Sequence, residues 1–208
     1  MRSEEARVWN EILRMDQIDI CKRTLATLSP DTNSFRLSIM DEEYAIKFES
    51  RRMVKILKDG GEEEADWMSR LLILQHILNA KDIPFSNRLK SPCDFKGGDL
   101  FFSAPTHRVS YEPLLQKYGS PQEFLNAGLS HGGRPISYAD AAFELKLLPR
   151  VPIAYLFWSG DEEFPSRISV LLDETAEQQL PMDALWVGIL AANRRMLEWD
   201  ERALQAGK

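Results

Sequence analysis

The segment IAYLFW at residues 153–158 constrains the fold most, because six consecutive residues in it are apolar. A half-buried strand alternates apolar and polar side chains, so a short unbroken apolar run is typical of a strand that is covered on both faces. Residues 143–147 alternate apolar with charged side chains, and a third strand-like run, RISVLL, occupies residues 167–172. We therefore predict an antiparallel meander with the strand of residues 153–158 in the middle.

A second meander is predicted in the N-terminal half of the chain. Apolar side chains alternate in residues 35–39 and 44–48, and MDEE between them is typical of a hairpin tip. MVKIL at 53–57 supplies a third strand, and a further short strand is predicted at Phe101 and Phe102. Strands and helices cluster separately and do not alternate. The pattern predicts an α+β fold, in which an antiparallel sheet of two meanders packs against several helices in a single compact domain.

Two long helices are predicted beside these strands. Residues 62–80 are apolar around most of the helix circumference, which is typical of a central buried helix. Residues 180–199 form an amphipathic helix, and Arg194 and Arg195 are interpreted as part of its solvated face. All 208 residues are assigned to one domain, and it is left open whether the helices in residues 1–28 form a packed appendage.

The charge balance argues against a general nucleic-acid binder, because the formal net charge is −6. The two cysteines, Cys21 and Cys93, are far apart and have neither disulfide-framework nor zinc or iron–sulfur spacing. The N-terminus lacks the apolar core of a signal peptide, and the apolar runs are far shorter than the ~20 residues of a membrane span. We therefore predict a cytoplasmic protein with no membrane or nucleic-acid partner, and the sequence predicts no cofactor and no metal.

A strongly acidic turn follows the apolar strand. Residues 159–166 (SGDEEFPS) are here called the acidic turn. Their three carboxylates lie between the aromatic side chains of Trp158, which precedes the turn, and Phe164. One interpretation is an ordinary solvated hairpin tip, because Gly-Asp is common turn chemistry. The other is a recognition element that binds a cation or a basic partner, because a rigid element loses less entropy on binding. The candidate ligand- or partner-binding residues of this region are Trp158, Asp161, Glu162, Glu163 and Phe164.

Two histidines lead to a rival interpretation. His107 lies in the loop-rich segment 84–110, and an irregular connection of this length is often functional. His131 lies in a glycine-rich turn, SHGGRP. A metal-assisted or acid–base enzyme would use Asp161 or Glu163 with one of these histidines. The sequence has no P-loop, dinucleotide fingerprint, H-E-x-x-H motif or G-x-S-x-G elbow.

The C-terminal segment resembles a known family. The string W-x-G-D-E-E-F-P, followed by a strand ending in Leu172-Asp173 and by L-P-x-D at a helix start, is similar to the signature of domain of unknown function family 3786. The resemblance spans residues 16–199 and implies an uncharacterised bacterial and archaeal family that is associated with anaerobes and has no established activity. Some relatives carry a cysteine-rich iron–sulfur segment, which this chain lacks. The residues that match the signature are Trp158, Gly160, Asp161, Glu162, Glu163, Phe164, Pro165, Pro181 and Asp183.

The leading functional hypothesis is a cytoplasmic binding or accessory module. It would recognise a partner protein or a small ligand through the acidic turn and the adjacent segment 84–110. The enzyme described above is the alternative, and it requires His107 or His131 to lie in one pocket with the acidic turn. A structural subunit of a larger complex is a third hypothesis, which predicts an exposed apolar patch.

Overall fold

Two five-stranded antiparallel sheets and seven helices make up the computed structural model, which describes residues 2–29 and 34–206. The strands are β1 (Thr27–Ser29), β2 (Ser34–Ile39), β3 (Glu42–Lys47), β4 (Arg52–Ile56), β5 (Glu62–Glu64), β6 (Leu89–Lys90), β7 (Arg134–Pro135), β8 (Ala141–Leu148), β9 (Val151–Trp158) and β10 (Arg167–Asp173). The helices are α1 (Arg2–Ile12), α2 (Gln17–Thr24), α3 (Trp67–Asn79), α4 (Gly98–Ser103), α5 (Glu112–Lys117), α6 (Pro121–Ser130) and α7 (Met182–Ala206). The predicted α+β class is confirmed, and its two meanders form two separate sheets.

The C-terminal sheet has the strand order β6-β10-β9-β8-β7, so β9 lies at its centre. All residues of β9 except the last are buried, because both of its faces are covered. On one face, the rings of Tyr155 and Phe143 stack with their centroids 5.5 Å apart. On the other face, Ala154 and Leu156 pack with Ala142 of β8. The predicted central strand with two apolar faces is therefore confirmed.

The N-terminal sheet has the strands in sequence order, β1 to β5. Its core side is organised by aromatic packing, in which the ring of Phe35 lies edge-on to that of Phe48 at 4.5 Å between centroids. The two sheets meet at the turn between β2 and β3. There the N–H of Met40 donates to the carbonyl oxygens of Lys146 and Leu147 in β8, at 3.1 and 3.2 Å. One hydrophobic cluster continues through both sheets as a result.

The helices α3 and α7 connect the two sheets. The carboxylate of Asp66 caps α3 by accepting a hydrogen bond from the N–H of Ser69 at 2.9 Å. His76 in α3 is fully buried, and burial lowers its pKa to about 4, so the ring is neutral at pH 7. The hydroxyl of Tyr155 donates to Oδ1 of Asn193 in α7 at 2.7 Å, which ties this helix to β9. No helix among residues 2–29 and 34–206 is both long and apolar enough to cross a membrane.

Three local predictions are wrong. Residues 62–64 do not begin the helix predicted over residues 62–80, because they pair with β4 as strand β5 and α3 begins only after the cap at Asp66. Phe101 and Phe102 lie in α4, because a two-residue apolar run cannot distinguish a strand from a turn of helix. Arg195 does not belong to a solvated face, since its side chain is only 13% exposed. The periodicity of α7 could not reveal this, because the residues that cover Arg195 come from the turn between β2 and β3. The side chain of Arg194 is more exposed, at 44%, but it is also ion-paired.

Candidate functional site

The acidic turn joins β9 to β10, and its backbone is held by hydrogen bonds. At its base, the N–H of Gly160 donates to Oγ of Ser166 at 2.8 Å. At its tip, the N–H of Asp161 donates to the carbonyl oxygen of Phe164 at 2.9 Å. Oδ1 of Asp161 accepts from the N–H groups of Glu163 and Phe164, both at 2.8 Å. The carboxylate of Asp161 is therefore part of the turn itself.

The other side chains of the acidic turn face solvent. The N–H donors of Phe164 and Glu163 lower the pKa of Asp161, so this residue stays ionised at neutral pH. Glu162 and Glu163 are exposed. The side chain of Phe164 is 67% exposed, although it is large and apolar. The turn thus presents an aromatic ring among carboxylates.

The base of the turn is fixed by Trp158 and Gly160. The guanidinium of Arg167 lies 5.0 Å from the centroid of the Trp158 ring, which is a cation–π contact. A Cβ added at Gly160 would lie 2.7 Å from the backbone nitrogen of Ser166, so a larger residue could not keep this close approach. Both contacts restrict the shape of the turn where it leaves the sheet.

An open groove borders the acidic turn on the side of the loop between β7 and β8. Oδ2 of Asp140, which lines the groove, accepts a hydrogen bond from the N–H of Ser159 at 2.7 Å. The groove has a volume of about 460 Å³. Its lining side chains include Leu125, Ile136, Tyr138 and Ala139. Tyr138 is 49% exposed, so a second aromatic side chain is accessible in this region.

The segment 84–110 enters the sheet at the other end of β10. Its strand β6 pairs with β10 at Leu172 and Asp173, and Oδ2 of Asp173 accepts from the N–H of Asn87 at 2.8 Å. The acidic turn adjoins Arg167, five residues before Leu172, which corresponds to about 17 Å along a strand. The start of the segment is therefore not adjacent to the turn, contrary to the prediction, and the loop of residues 136–140 occupies that place.

His107 packs as an aromatic residue. Its ring stacks on that of Phe101 with the centroids 4.0 Å apart, and it meets the ring of Trp186 in α7 edge-on at 5.1 Å. Its Nδ1 lies 3.2 Å from the carbonyl oxygen of Phe101. Within the described ranges, the hydrogen-bond and ring contacts of His107 are with these two residues and not with the acidic turn.

His131 lies beside Asp41, far from the acidic turn. It is 1% exposed, and its Nδ1 is 3.8 Å from Oδ2 of Asp41. Met40, the residue before Asp41, donates hydrogen bonds to the carbonyl oxygens of Lys146 and Leu147, near the C-terminal end of β8. The acidic turn lies beyond Ala141, at the N-terminal end of the same strand. These two ends of β8 are about 17 Å apart. The structure therefore does not place His131 with Asp161 or Glu163, as the enzyme hypothesis requires.

A second polar site, which the sequence did not suggest, lies between the N-terminal sheet and α7. This site, here called the charged cleft, has a volume of about 270 Å³ and is lined by residues from β3, β4, β5, α7 and the start of α3. Its carboxylates are Glu42, Glu63, Glu64, Asp66 and Glu198. Its cations are Lys55, Arg194 and Arg195. The excess of carboxylates gives the lining a formal charge of −2.

Hydroxyl groups also line the charged cleft. The hydroxyl of Tyr44 lies 3.0 Å from Oε2 of Glu42 and 3.0 Å from Oγ of Ser69. Burial and the nearby charge of Glu42 raise the pKa of Tyr44, so its hydroxyl stays protonated. The cleft therefore offers neutral oxygen atoms beside its carboxylates.

The two arginines of α7 are paired across the cleft. Nη2 of Arg195 lies 2.8 Å from Oδ2 of Asp41, and its Nη1 lies 3.3 Å from Oε1 of Glu42. Arg194 forms ion pairs with Asp66 and, at 3.4 Å, with Glu198. Burial alone would raise the pKa of Asp41, but the interactions with His131 and Arg195 outweigh burial and hold the pKa well below its usual range.

The fold and these two sites define an α+β protein with two meander sheets, an exposed acidic turn and a charged cleft. The chain matches the family model of the domain of unknown function DUF3786 over residues 16–191, so it belongs to that family. No curated protein and no solved structure matches it. Among the described residues, no group of histidine, cysteine, aspartate and glutamate side chains is arranged to hold a metal ion.

Proposed function

We propose that this protein is a cytoplasmic binding module that docks a partner protein through the acidic turn and the neighbouring groove. The observation that carries the proposal is the two-thirds exposure of Phe164 on a turn whose backbone is held by hydrogen bonds. A large apolar side chain gains free energy when it is removed from water, by about 1.5–3 kcal/mol for a full burial. Phe164 would gain it by inserting into a partner.

The order of the turn favours binding. Fixing the backbone of one residue costs about 1–2 kcal/mol, and a flexible loop pays this cost when it binds. The hydrogen bonds of Asp161 and Gly160 hold the acidic turn in one shape before a partner arrives. The strand that precedes the turn is buried on both faces, so it gives the turn a firm support.

The chemistry of the surface predicts the chemistry of the partner. Glu162, Glu163 and Asp140 provide negative charges around two exposed aromatic rings, those of Phe164 and Tyr138. Binding energy is usually concentrated in a few aromatic anchors, and surrounding charges select the partner and speed its approach. We therefore expect a partner with lysine or arginine residues around an apolar pocket.

The cysteines support a cytoplasmic location. Cys21 and Cys93 are free thiols, and Cys93 is exposed. Thiols of this kind persist in a reducing compartment and are rare in oxidising ones. A location in the cytoplasm is therefore part of the proposal.

The test neutralises the turn without breaking it. In the triple variant Asp161→Asn, Glu162→Gln, Glu163→Gln, the amide oxygen introduced at position 161 can still accept the two backbone hydrogen bonds. Quantitative cross-linking and pull-down from a lysate of the native host should identify a bound protein. With that protein purified, we expect the triple variant to bind about tenfold more weakly and Phe164→Ser to bind at least as poorly.

The matched control is the triple variant Glu62→Gln, Glu63→Gln, Glu64→Gln on β5, which removes the same amount of charge elsewhere. It should bind the partner as the unmodified protein does. An unchanged set of partners for both turn variants, at an unchanged melting temperature, would refute the proposal. Equal loss in the control would show a general charge effect and would also refute it.

A further inference from the structure

We infer that the acidic turn docks into a groove beside α1 of a second copy of this chain, so that the protein associates with itself head to tail. The inference rests on the proposed function and names the partner. Three features carry it: the unpaired arginines of the groove, an apolar side chain in its lining, and the location of the two surfaces on different sheets.

The groove, here called the arginine groove, runs along α1. Arg7 and Asn10 share one face of this helix, and Arg14 follows in the turn that ends it. The volume of the groove is about 560 Å³, which lies within the ~300–1,000 Å³ that is usual for a binding pocket. Its described lining residues are Arg7, Asn10, Glu11, Arg14 and Met15.

The cations of the arginine groove are available to an anionic partner. Arg7 and Arg14 are exposed, and neither has an ion-pair partner within residues 2–29 and 34–206. Glu11 is the one carboxylate of the described lining, so this lining has a formal charge of +1 in a chain whose net charge is −6. Arg51, in the turn between β3 and β4, adds a further cation next to the groove, where its Nη2 donates to Oδ1 of Asn10 at 2.8 Å.

These arginines differ from most others in the described part of the chain, which are engaged by carboxylates. An arginine that is already paired could bind another anion only by giving up its own partner. The arginines engaged in ion pairs are Arg23, Arg36, Arg52, Arg88, Arg134, Arg150, Arg194 and Arg195.

The arginine groove also offers an apolar contact for Phe164. Met15 lines the groove and packs against the hydrophobic core with the rest of its surface. A methionine side chain is flexible and polarizable, and it makes favourable contacts with aromatic rings. Insertion of Phe164 beside Met15 would remove apolar surface of both molecules from water. The two glutamates that precede Phe164 would then lie near the arginines.

The two surfaces lie on different parts of the molecule. The helix α1 packs on the N-terminal sheet, where the ring of Trp9 lies edge-on to that of Phe48 with the centroids 6.4 Å apart. The acidic turn extends from the C-terminal sheet, and Glu162 and Glu163 have no ion-pair partner among the described residues. Each chain therefore carries one acidic and one basic surface that it does not pair internally. Because the two surfaces differ, the contact is heterologous and joins successive copies into a ring or an open chain.

Sedimentation velocity of the full chain at rising protein concentration measures the self-association. We expect species larger than the monomer, whose share rises with concentration and falls with added salt, because salt screens exposed charges. The groove variant, Arg7→Glu with Arg14→Glu, should weaken self-association at least about tenfold, since like charges then face each other. The turn variant, Glu162→Arg with Glu163→Arg, should weaken it as much for the same reason.

A mixture of the groove variant and the turn variant is the decisive measurement. Neither variant should associate with itself, but both surfaces of one are complementary in charge to the surfaces of the other. The mixture should therefore regain the large species of the unmodified protein. A general effect of charge, or damage to either fold, cannot produce this recovery.

Lys96→Glu with Arg108→Glu is the matched control, because these exposed cations also lack an ion-pair partner among the described residues and lie outside the arginine groove. It should self-associate like the unmodified protein, and circular dichroism melting of each variant checks the fold. The inference is overturned if the unmodified protein stays monomeric at about 1 mM, if the groove variant associates normally, or if the mixture stays monomeric. The lysate experiment does not depend on self-association. A monomeric protein whose turn variants lose another host partner would therefore overturn this inference and support the proposed function.

Discussion

The acidic turn and the charged cleft are both rich in carboxylates, but they use them in opposite ways. In the turn, Glu162 and Glu163 are exposed and have no cation partner within the described residues. At the cleft, Arg195 is paired both with Glu42 of the lining and with the neighbouring Asp41, and the side chains of Arg195, Glu42 and Asp41 are only 13%, 17% and 23% exposed. Exposed charges contribute little to the free energy of unfolding, whereas a buried group that loses its partner is costly. The comparison separates charges available for binding from charges that hold the fold together.

The largest effect on stability is expected at Arg195. Arg195→Met removes the guanidinium group that pairs with Asp41 and Glu42. Two mostly buried carboxylates then lose this ion-pair partner. We expect the free energy of unfolding to fall by about 2–4 kcal/mol, measured by urea denaturation. Arg167→Met at the base of the acidic turn is the same substitution at an exposed residue, and it should cost less than about 1 kcal/mol. Equal losses at both positions would contradict the comparison.

A smaller effect is expected from acid. The pKa of Asp41 lies below its ordinary value of about 4, so the stability that this group contributes is fully present above about pH 5. It is lost as the pH falls below about 4 toward the folded-state value, because protonation is then easier in the unfolded chain. Between about pH 7 and pH 3, the unmodified protein should lose about 1 kcal/mol more than Asp41→Asn, measured by urea denaturation at each pH. Parallel pH profiles of the two proteins would show that Asp41 is not stabilised by its neighbours.

The smallest effect is expected in the acidic turn. The double variant Glu162→Gln, Glu163→Gln changes two exposed side chains that lack an ion-pair partner among the described residues. Its free energy of unfolding should stay within about 0.5 kcal/mol of that of the unmodified protein. A loss of more than about 1 kcal/mol in urea denaturation would mean that these charges support the fold, and the contrast with the cleft would then disappear.

The strands and the acidic turn were predictable because they depend on neighbours in sequence. The six apolar residues of IAYLFW and the alternation around them predicted β9 and its place in the sheet. Phe101 and Phe102 show the limit of such patterns, since two apolar residues fit a helix as well as a strand. The candidate residues of the acidic turn do lie together, but segment 84–110, which was expected beside them, begins at the opposite end of β10.

The charged cleft could not be predicted from one sequence. Asp41 and Arg195 are 154 residues apart, and so their pairing leaves no local pattern. The sequence alone indicated a solvated helix face at Arg195, because polar residues on an amphipathic helix usually face water. The burial of His131 beside Asp41 depends in the same way on the turn between β2 and β3 meeting β8.

By itself, the sequence determined the two meanders, the two-faced strand β9 and the acidic turn that follows it, because periodicity and turn chemistry act over a few residues. The tertiary structure decided which side chains meet across the N-terminal sheet and α7, and it kept the acidic turn away from His131. The physical reason is that burial and ion pairing depend on distances in space, and only the packed fold sets those distances.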